Sequence, residues 1–382
     1  RVQSLLNTEI GIRLSNDMAL GETDFELMGM SGNNVKILLD GIPLIDRGAT
    51  KQSLSQLDVN SIERVEIVEG PMSVVYGTDA LAGVINIITK KGDGYSEENT
   101  WRVGARVQEE SMGKEYDFFK DKGLHNESID LGFNHKSGLF VNGGYTRNNH
   151  GGWQGDLTGR EKRWHPKDQA LMNGMFGFQN RNMNVWYRLD FLDEKIFGPN
   201  NGSELQPEKV SDKDFLTKRY THQLQSDWKL DNRLDVHAAL SYQDYKRRTR
   251  TTESDLSTGE KWLSSAEASQ DITQYKAWIA RATVAWNIAP EFSVQPGVEY
   301  QWTQGEGGRI DGTPKVSDLA FFLSAEYKPW EWLSLRPGVR TFIVADYDAP
   351  IAIPSVLTKF KLTKHMDLRL SYAYGFRSPT LQ

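Results

Sequence analysis

Read in steps of two, long stretches of this chain split into an apolar face and a polar face. In "FSVQPGVEYQW" (292–302), Phe292, Val294, Pro296, Val298, Tyr300 and Trp302 fall on one side. Ser293, Gln295, Gly297, Glu299 and Gln301 fall on the other. The same division recurs in "MNVWYRLDF" (183–191), "RLDVHAALSY" (233–242), "WIARATVAW" (278–286), "DLAFFLSAEY" (318–327) and "MDLRLSYAY" (366–374). A period of two is that of a β-strand with unlike surroundings on its two faces. Charges such as Arg188, Asp190, His237, Arg281, Glu299, Glu326 and Arg369 sit in mid-strand. Such residues suit a wet lumen better than the dry core of a sandwich.

The connections between these segments alternate in length. Short ones fall near 134–138, 179–182, 229–233, 289–291, 328–332 and 362–365, and long ones near 112–125, 149–168, 193–217, 246–271, 305–316 and 344–351. About thirteen strands joined alternately by tight turns and long loops is the pattern of an up-and-down membrane barrel. Trp228, Trp286, Phe292, Trp330 and Trp332 flank the short turns, where one aromatic belt belongs. A soluble propeller is the alternative, but it does not call for tryptophans beside every other turn.

Residues 1–93 are different. They contain Phe25 and Tyr76 and no other aromatic residue, whereas all 11 tryptophans fall in 94–382. "NVKILLDGIPL" (34–44) predicts two strands about an Asp-Gly turn, and "SIERVEIVEG" and "AGVINIITK" predict two more. The expected organisation is an α+β unit over 1–93 and an all-β antiparallel barrel over 94–382. Gly70, Gly77 and Gly83 read as turn positions that need unusual backbone angles.

Composition narrows the function classes. A formal charge of −6, with no basic patch interleaved with aromatics, argues against nucleic-acid binding. A mean hydropathy of −0.56 and the lack of a long apolar run exclude helical membrane spans, though not a barrel, whose strands average to a polar composition. The absence of cysteine removes disulfides and thiolate metal sites. No protease, lipase or nucleotide-binding motif occurs, so no catalytic residue, cofactor or resident metal is expected.

"NVKILLDGIPL", "IERVEIVEGPMSVVYGTDALAGVINIITKKG" and "YAYGFRSPTLQ" resemble the TonB-dependent outer-membrane receptors, the first two their plug and the last a late barrel strand. The resemblance implies a 22-stranded barrel filled by a plug in the bacterial outer membrane, with the TonB-contacting box before Arg1 and further strands after Gln382. It implies active uptake of a scarce metal-containing nutrient: a ferric siderophore, cobalamin or haem. The implied partners are TonB, outer-membrane lipid and lipopolysaccharide, with a surface lipoprotein left open. A passive channel or receptor that no longer couples to TonB is the second reading, and an adhesin or structural barrel the third.

Substrate is expected where apical plug loops meet external barrel loops. The candidates are Asp46, Arg47, Lys51 and Gln52 in the plug, with His150, Trp153, Trp164, His165 and Arg247 in the barrel. The basic run "KRRTR" (246–250), expected to open a loop, would attract an anionic ferric chelate or lipopolysaccharide phosphates. A plug must also be held by breakable polar contacts, for which Glu26, Glu63, Arg64, Glu66, Glu69, Arg188 and Arg281 are candidates. Many relatives carry arginine where this chain has Glu26 and Glu69. The exchange predicts a reversed charge sense, with Arg188, Arg281, Arg336 or Arg369 opposite those glutamates.

Overall fold

A computed structural model describes residues 12–17, 22–27, 29–31, 34–45, 54–69, 73–77, 80, 82–92, 98–308 and 310–376. In the first ninety residues, strands β1 (Ile12–Asp17), β2 (Glu22–Leu27) and β3 (Met30–Ser31) form one small antiparallel sheet. A second sheet contains β4 (Val35–Leu39), β5 (Ile42–Pro43), β6 (Ile62–Glu69) and β7 (Gly83–Thr89), in the order β5-β4-β7-β6. Strand β7 runs parallel to β4 and antiparallel to β6. All seven of its residues are buried, which explains why "GVINIIT" is nearly continuous in apolar residues rather than alternating. Its Ile85 and Ile87 pack with Leu27, Val35, Ile37 and Leu39 as the core of this unit.

The turn between β4 and β5 places Asp40 and Gly41 at φ 51° and 82°. These are the left-handed values that a two-residue Asp-Gly hairpin requires. The Asp40 carboxylate accepts from Thr89 N at 3.0 Å and from Thr89 Oγ1 at 2.7 Å, binding the hairpin to the end of β7. A single helical turn, Ser73–Tyr76, follows β6.

From Thr100 onward the chain forms one large sheet. Its strands are β8 (Thr100–Glu110), β9 (Leu124–Asn134), β10 (Leu139–His150), β11 (Lys167–Gln179) and β12 (Met183–Gly198). Next come β13 (Lys209–Lys229), β14 (Leu234–Asp255), the short β15 (Lys261–Leu263) and β16 (Ile272–Ala289). The last are β17 (Phe292–Gly307), β18 (Lys315–Trp330), β19 (Leu333–Ala345), β20 (Ile353–Lys361) and β21 (Asp367–Ala373). Every neighbour is antiparallel and consecutive, except that β15 pairs with β14 alone. Thirteen strands therefore run in an unbroken meander.

Two strands correct the expected loops. β13 has 21 residues and β14 has 22, so Lys246 to Arg250 are ladder residues rather than the opening of a loop. At ~3.4 Å per residue, 22 residues extend ~75 Å, or ~55 Å along a membrane normal at a tilt of ~40°, about twice the ~25 Å apolar band of an outer-membrane barrel. Beyond the membrane both faces are polar, so the alternation fades although the hydrogen-bonded ladder continues.

The apolar band is bounded by two aromatic rows. Tyr220 and Trp228 on β13, Trp278 and Trp286 on β16, and Phe292 and Tyr300 on β17 are pairs with the same spacing, all on the outward face. That spacing of eight residues corresponds to ~20 Å along the normal at a tilt of ~40°. Next to the short turns Trp330 stacks on Trp332 at 5.3 Å.

Candidate functional site

The inward face of the barrel wall grips the plug through three groups of polar side chains. The first holds the β4–β5 hairpin. Gln223 Nε2 donates to Leu39 O at 3.3 Å, Gln225 Nε2 to Asp40 O at 2.8 Å, and Gln243 Nε2 to Pro43 O at 2.7 Å. Ile45 N donates back to Gln243 Oε1 at 2.9 Å. Odd positions of β13 and β14 face the lumen, which brings three amides from two neighbouring strands onto one edge of the plug sheet. Ile42 packs against Ala239 and Ile279 between them, a small apolar contact among polar ones.

The second group surrounds plug residues 55–58. Glu194, 1% exposed, accepts from Gln56 Nε2 and Gln169 Nε2, both at 2.8 Å, and pairs with Lys167 Nζ at 2.9 Å. Gln169 Nε2 also reaches Ser55 O at 3.0 Å, and Arg219 Nη2 donates to Gln56 O at 2.8 Å. Asp58 accepts from Thr146 Oγ1 at 3.0 Å and Asn173 Nδ2 at 3.1 Å. Burial raises the Asp58 carboxyl above its ordinary value, against the opposing pull of its hydrogen bonds to Asn60 N and Thr146. A carboxyl raised in the docked plug and ordinary in the free chain stabilises docking fully below the ordinary value, and that contribution is lost as pH rises through the raised one. Denaturant titrations from about pH 4 to about pH 7 are expected to show a fall in stability with rising pH that Asp58→Asn flattens.

The third group clasps the turn at 73–77. Glu299 is 1% exposed; its Oε2 pairs with Arg281 Nη1 at 2.9 Å and its Oε1 with Arg340 Nη2 at 2.7 Å. Arg281 Nη2 donates to Val75 O at 2.7 Å, and from within the plug Lys36 Nζ donates to Tyr76 O at 2.7 Å. Gly77, at φ +80°, lets the backbone fit here. A Cβ on it would lie 3.2 Å from Glu299 Oε1 and 3.4 Å from both Arg340 Nη2 and Lys36 Nζ.

Among the expected plug–barrel residues, Arg281 sits in this third group, bonded to a plug carbonyl and a wall glutamate rather than to a plug glutamate. Arg188 pairs with Asp190 on its own strand at 2.6 Å, and Arg336 with Glu326 at 2.8 Å. Glu63, Arg64 and Glu66 pair with one another on an exposed face of the plug sheet. Among the described residues Glu26 meets none of the wall arginines. The Glu69 side chain lies outside the described residues, as do Asp46, Arg47, Lys51 and Gln52. Among the described residues Arg188, Arg281, Arg336 and Arg340 are paired with wall carboxylates, and Arg281 and Arg219 also take plug carbonyls; the Glu69 part of the expectation lies outside the described residues. Glu194, Arg340 and the three glutamines were missed individually. Their signal was a polar residue at lumenal positions of a period-two strand.

Above the plug, His150 Nδ1 accepts from Gly152 N at 2.8 Å, and its ring lies 3.8 Å from that of Trp164. Trp153 and Trp164 exchange backbone bonds of 2.8 and 3.0 Å, so the loop 151–166 is stitched across its base. Arg160 bonds Asp212 at 2.6 Å, fastening that loop to β13. His165 lies beside Gly198, where a Cβ would come within 3.2 Å of its ring. Arg247 faces inward, its guanidinium 4.8 Å from the Phe215 ring centroid. Among the described residues no group of three or more His, Asp or Glu side chains is placed to hold a metal.

Residues 1–84 match the family model of the TonB-dependent receptor plug domain. By that match residues 1–84 are similar to the plug of the TonB-dependent receptors. The chain is similar to the ferrienterobactin receptor of Escherichia coli strain K12, 33% identical over 107 residues, which are 24% of this chain and 14% of that protein. It is similar also to an iron-regulated outer membrane virulence protein of Vibrio cholerae, 40% identical over 80 residues, 18% of this chain and 12% of that one. In fold the chain superposes on a ferric enterobactin receptor from Pseudomonas aeruginosa with a TM-score of 0.72 and 16% identity, over 99% of this chain and 60% of that one. The chain thus spans about 60% of that solved relative and matches a much smaller share of the curated ones. Its outward apolar band and the names of its relatives place it in the bacterial outer membrane.

Proposed function

We propose that this receptor takes up a ferric siderophore across the outer membrane, driven by TonB through traction on the plug. The observation that carries the reading is the chemistry of the plug–wall contact. It is built mainly from hydrogen bonds of wall side chains to plug carbonyls and plug side chains, with small apolar contacts at Ile42 and Ile45. Polar contacts of this kind re-form with water when broken, so the plug can be shifted and reseated at moderate cost, unlike a dry core. Relatives named for ferric enterobactin favour a siderophore over cobalamin or haem. His150 is also turned to Gly152 N and Trp164, which suits a structural role better than iron ligation. The receptor binds and moves its cargo and makes no bonds in it; iron enters as cargo rather than as a resident cofactor.

Inward-facing Arg247, on the Phe215 ring, is the residue we assign to an anionic ferric chelate. Cells relying on the receptor are expected to accumulate radiolabelled iron from ferric enterobactin only when TonB is present. Arg247→Ala is expected to weaken binding about tenfold, about the 1.4 kcal/mol of one charge-assisted contact. Uptake indifferent to TonB would establish the passive reading instead.

A further inference from the structure

Arg340 is 1% exposed, yet one nitrogen does all its bonding: Nη2 donates to Glu299 Oε1 at 2.7 Å, while Nε and Nη1 have no partner among the described residues. Asp318, 6% exposed, is half-used in the same way. Its Oδ2 accepts from Tyr347 OH at 3.1 Å, and its Oδ1 has no partner among the described residues. Buried donors and a buried acceptor left open are costly. We infer that Asp318 is a positioning residue that links the outside of the receptor to the plug. While Tyr347 holds it, Arg340 stays on Glu299; when Tyr347 is drawn away, Asp318 takes Arg340, and the turn at 73–77 loosens. The inference rests on the reading of this chain as an uptake receptor.

Register puts the two groups one step apart. Asp318, Ala320 and Phe322 are successive inward residues of β18, all buried. Arg340 stands opposite Phe322, but Glu299, which it reaches, stands opposite Ala320. The guanidinium therefore lies over the small Ala320, with the ring centroids of Phe322 and Phe342 at 5.7 and 5.4 Å. Asp318 is the next inward residue toward the exterior, ~7 Å along the strand, a gap that rotamer changes of the two side chains span. The charges of Arg340 and Lys36 both act on it. A guanidinium pairs best with a carboxylate through two N–H groups. Glu299 also serves Arg281 and gives Arg340 a single bond, so Asp318 offers the fuller pairing.

The outer end of the link faces the mouth. Tyr347 lies in the external segment 346–352, which is fastened on both sides of it. Asp346 Oδ2 accepts from Ser317 N at 2.8 Å and Ser317 Oγ at 2.6 Å, and Thr341 Oγ1 donates to Ile351 O at 2.8 Å. The Tyr347 ring stacks on Phe376 at 5.9 Å and meets Phe342 edge-on at 6.2 Å. An incoming aromatic ring that parts Tyr347 from Phe376 pulls the hydroxyl off Asp318 without unfastening the segment. At the inner end, Arg340 fixes Glu299 Oε1 and Arg281 holds Oε2. Once Arg340 leaves, Glu299 and Arg281 can swing together, and Arg281 Nη2 loses Val75 O.

Hydrogen exchange at the amides of 73–77, read in the whole receptor without cargo, tests the link. Tyr347→Phe keeps the ring and removes the hydroxyl; exchange there is expected to rise about tenfold, with the Ile85–Ile87 amides of β7 unchanged. Adding Asp318→Asn, which keeps the shape and removes the charge, is expected to return exchange to within about twofold of native. A tyrosine that only supported the mouth would not be rescued in this way. With ferric enterobactin bound, the native receptor is expected to show the same rise. Asp318→Asn should bind that chelate with native affinity, show no rise and lose most of its uptake. Native exchange in Tyr347→Phe, or no rescue in the double variant, would overturn the inference. Failure of the native receptor to bind ferric enterobactin would overturn the substrate reading alone, because the cargo-free comparison decides the link by itself.

Discussion

Replacing Glu299 by alanine is expected to loosen the plug more than any other single change in the wall. The carboxylate is shared by Arg281 and Arg340, and all three side chains are buried, at 1%, 9% and 1% exposure. Lys36 brings a third cation to the same turn through its bond to Tyr76 O. Once Glu299 is gone, the cations remain buried without their shared anion, and breaking a buried pair in this way costs about 3–5 kcal/mol. The damage should appear first in the plug, because Arg281 Nη2 holds Val75 O only while its Nη1 is fixed by Glu299. Limited proteolysis should therefore cut the turn at 73–77 in Glu299→Ala under conditions that leave the native protein intact, and the denaturant midpoint should fall. Glu299→Ala/Arg340→Met should recover part of the loss, since it removes one stranded charge along with the carboxylate. A plug as protease-resistant in Glu299→Ala as in the native protein would show that the clasp does not hold it.

This clasp also shows how far the sequence could be read. The strands, their alternation of short and long connections, and the inward direction of Arg281 and Glu299 all follow from a period of two, because the pleat alone decides which face a residue joins. The plug sheet was legible for a related reason: "LLDGIPL" carries its own turn chemistry, and Asp40–Gly41 adopts it. Pairing across the wall was not legible. Glu299 meets Arg340 because β17, β18 and β19 lie in a particular stagger, and a one-residue slip would send either side chain to the membrane. Contacts such as Gln243 to Pro43 O involve a backbone carbonyl, which every residue has, so no residue type in the plug advertises them. The outer ends of β13 and β14 were hidden as well, since outside the membrane both faces are polar and only the ladder marks the strand.

The largest functional effect should come from cutting two clasps together. Glu194 is a second fully buried wall carboxylate that reaches the plug, holding Gln56 of the plug and Lys167 and Gln169 of the wall. Alone, Glu194→Ala removes the acceptor of Gln56 and strands Lys167, at a cost of about 3 kcal/mol. Its wall partners come from β11, whereas those of Glu299 come from β16 and β19, and the two groups share no residue, so their costs should add. Glu194→Ala/Glu299→Ala is then expected to lose about 6–8 kcal/mol of plug docking, comparable to the whole stability of a typical domain. With the hairpin glutamines, the Asp58 contacts and the bonds to Ser55 O and Gln56 O left to hold it, the plug would leave the lumen part of the time. Cells carrying the double variant should become sensitive to a large hydrophilic antibiotic that the native receptor excludes, and should do so without TonB. Each single variant should remain tight, because the surviving clasp still seats one end of the plug sheet. If the double variant were as impermeable as either single one, the plug would be held by the hairpin contacts of Gln223, Gln225 and Gln243, and the carboxylate clasps would only trim its fit.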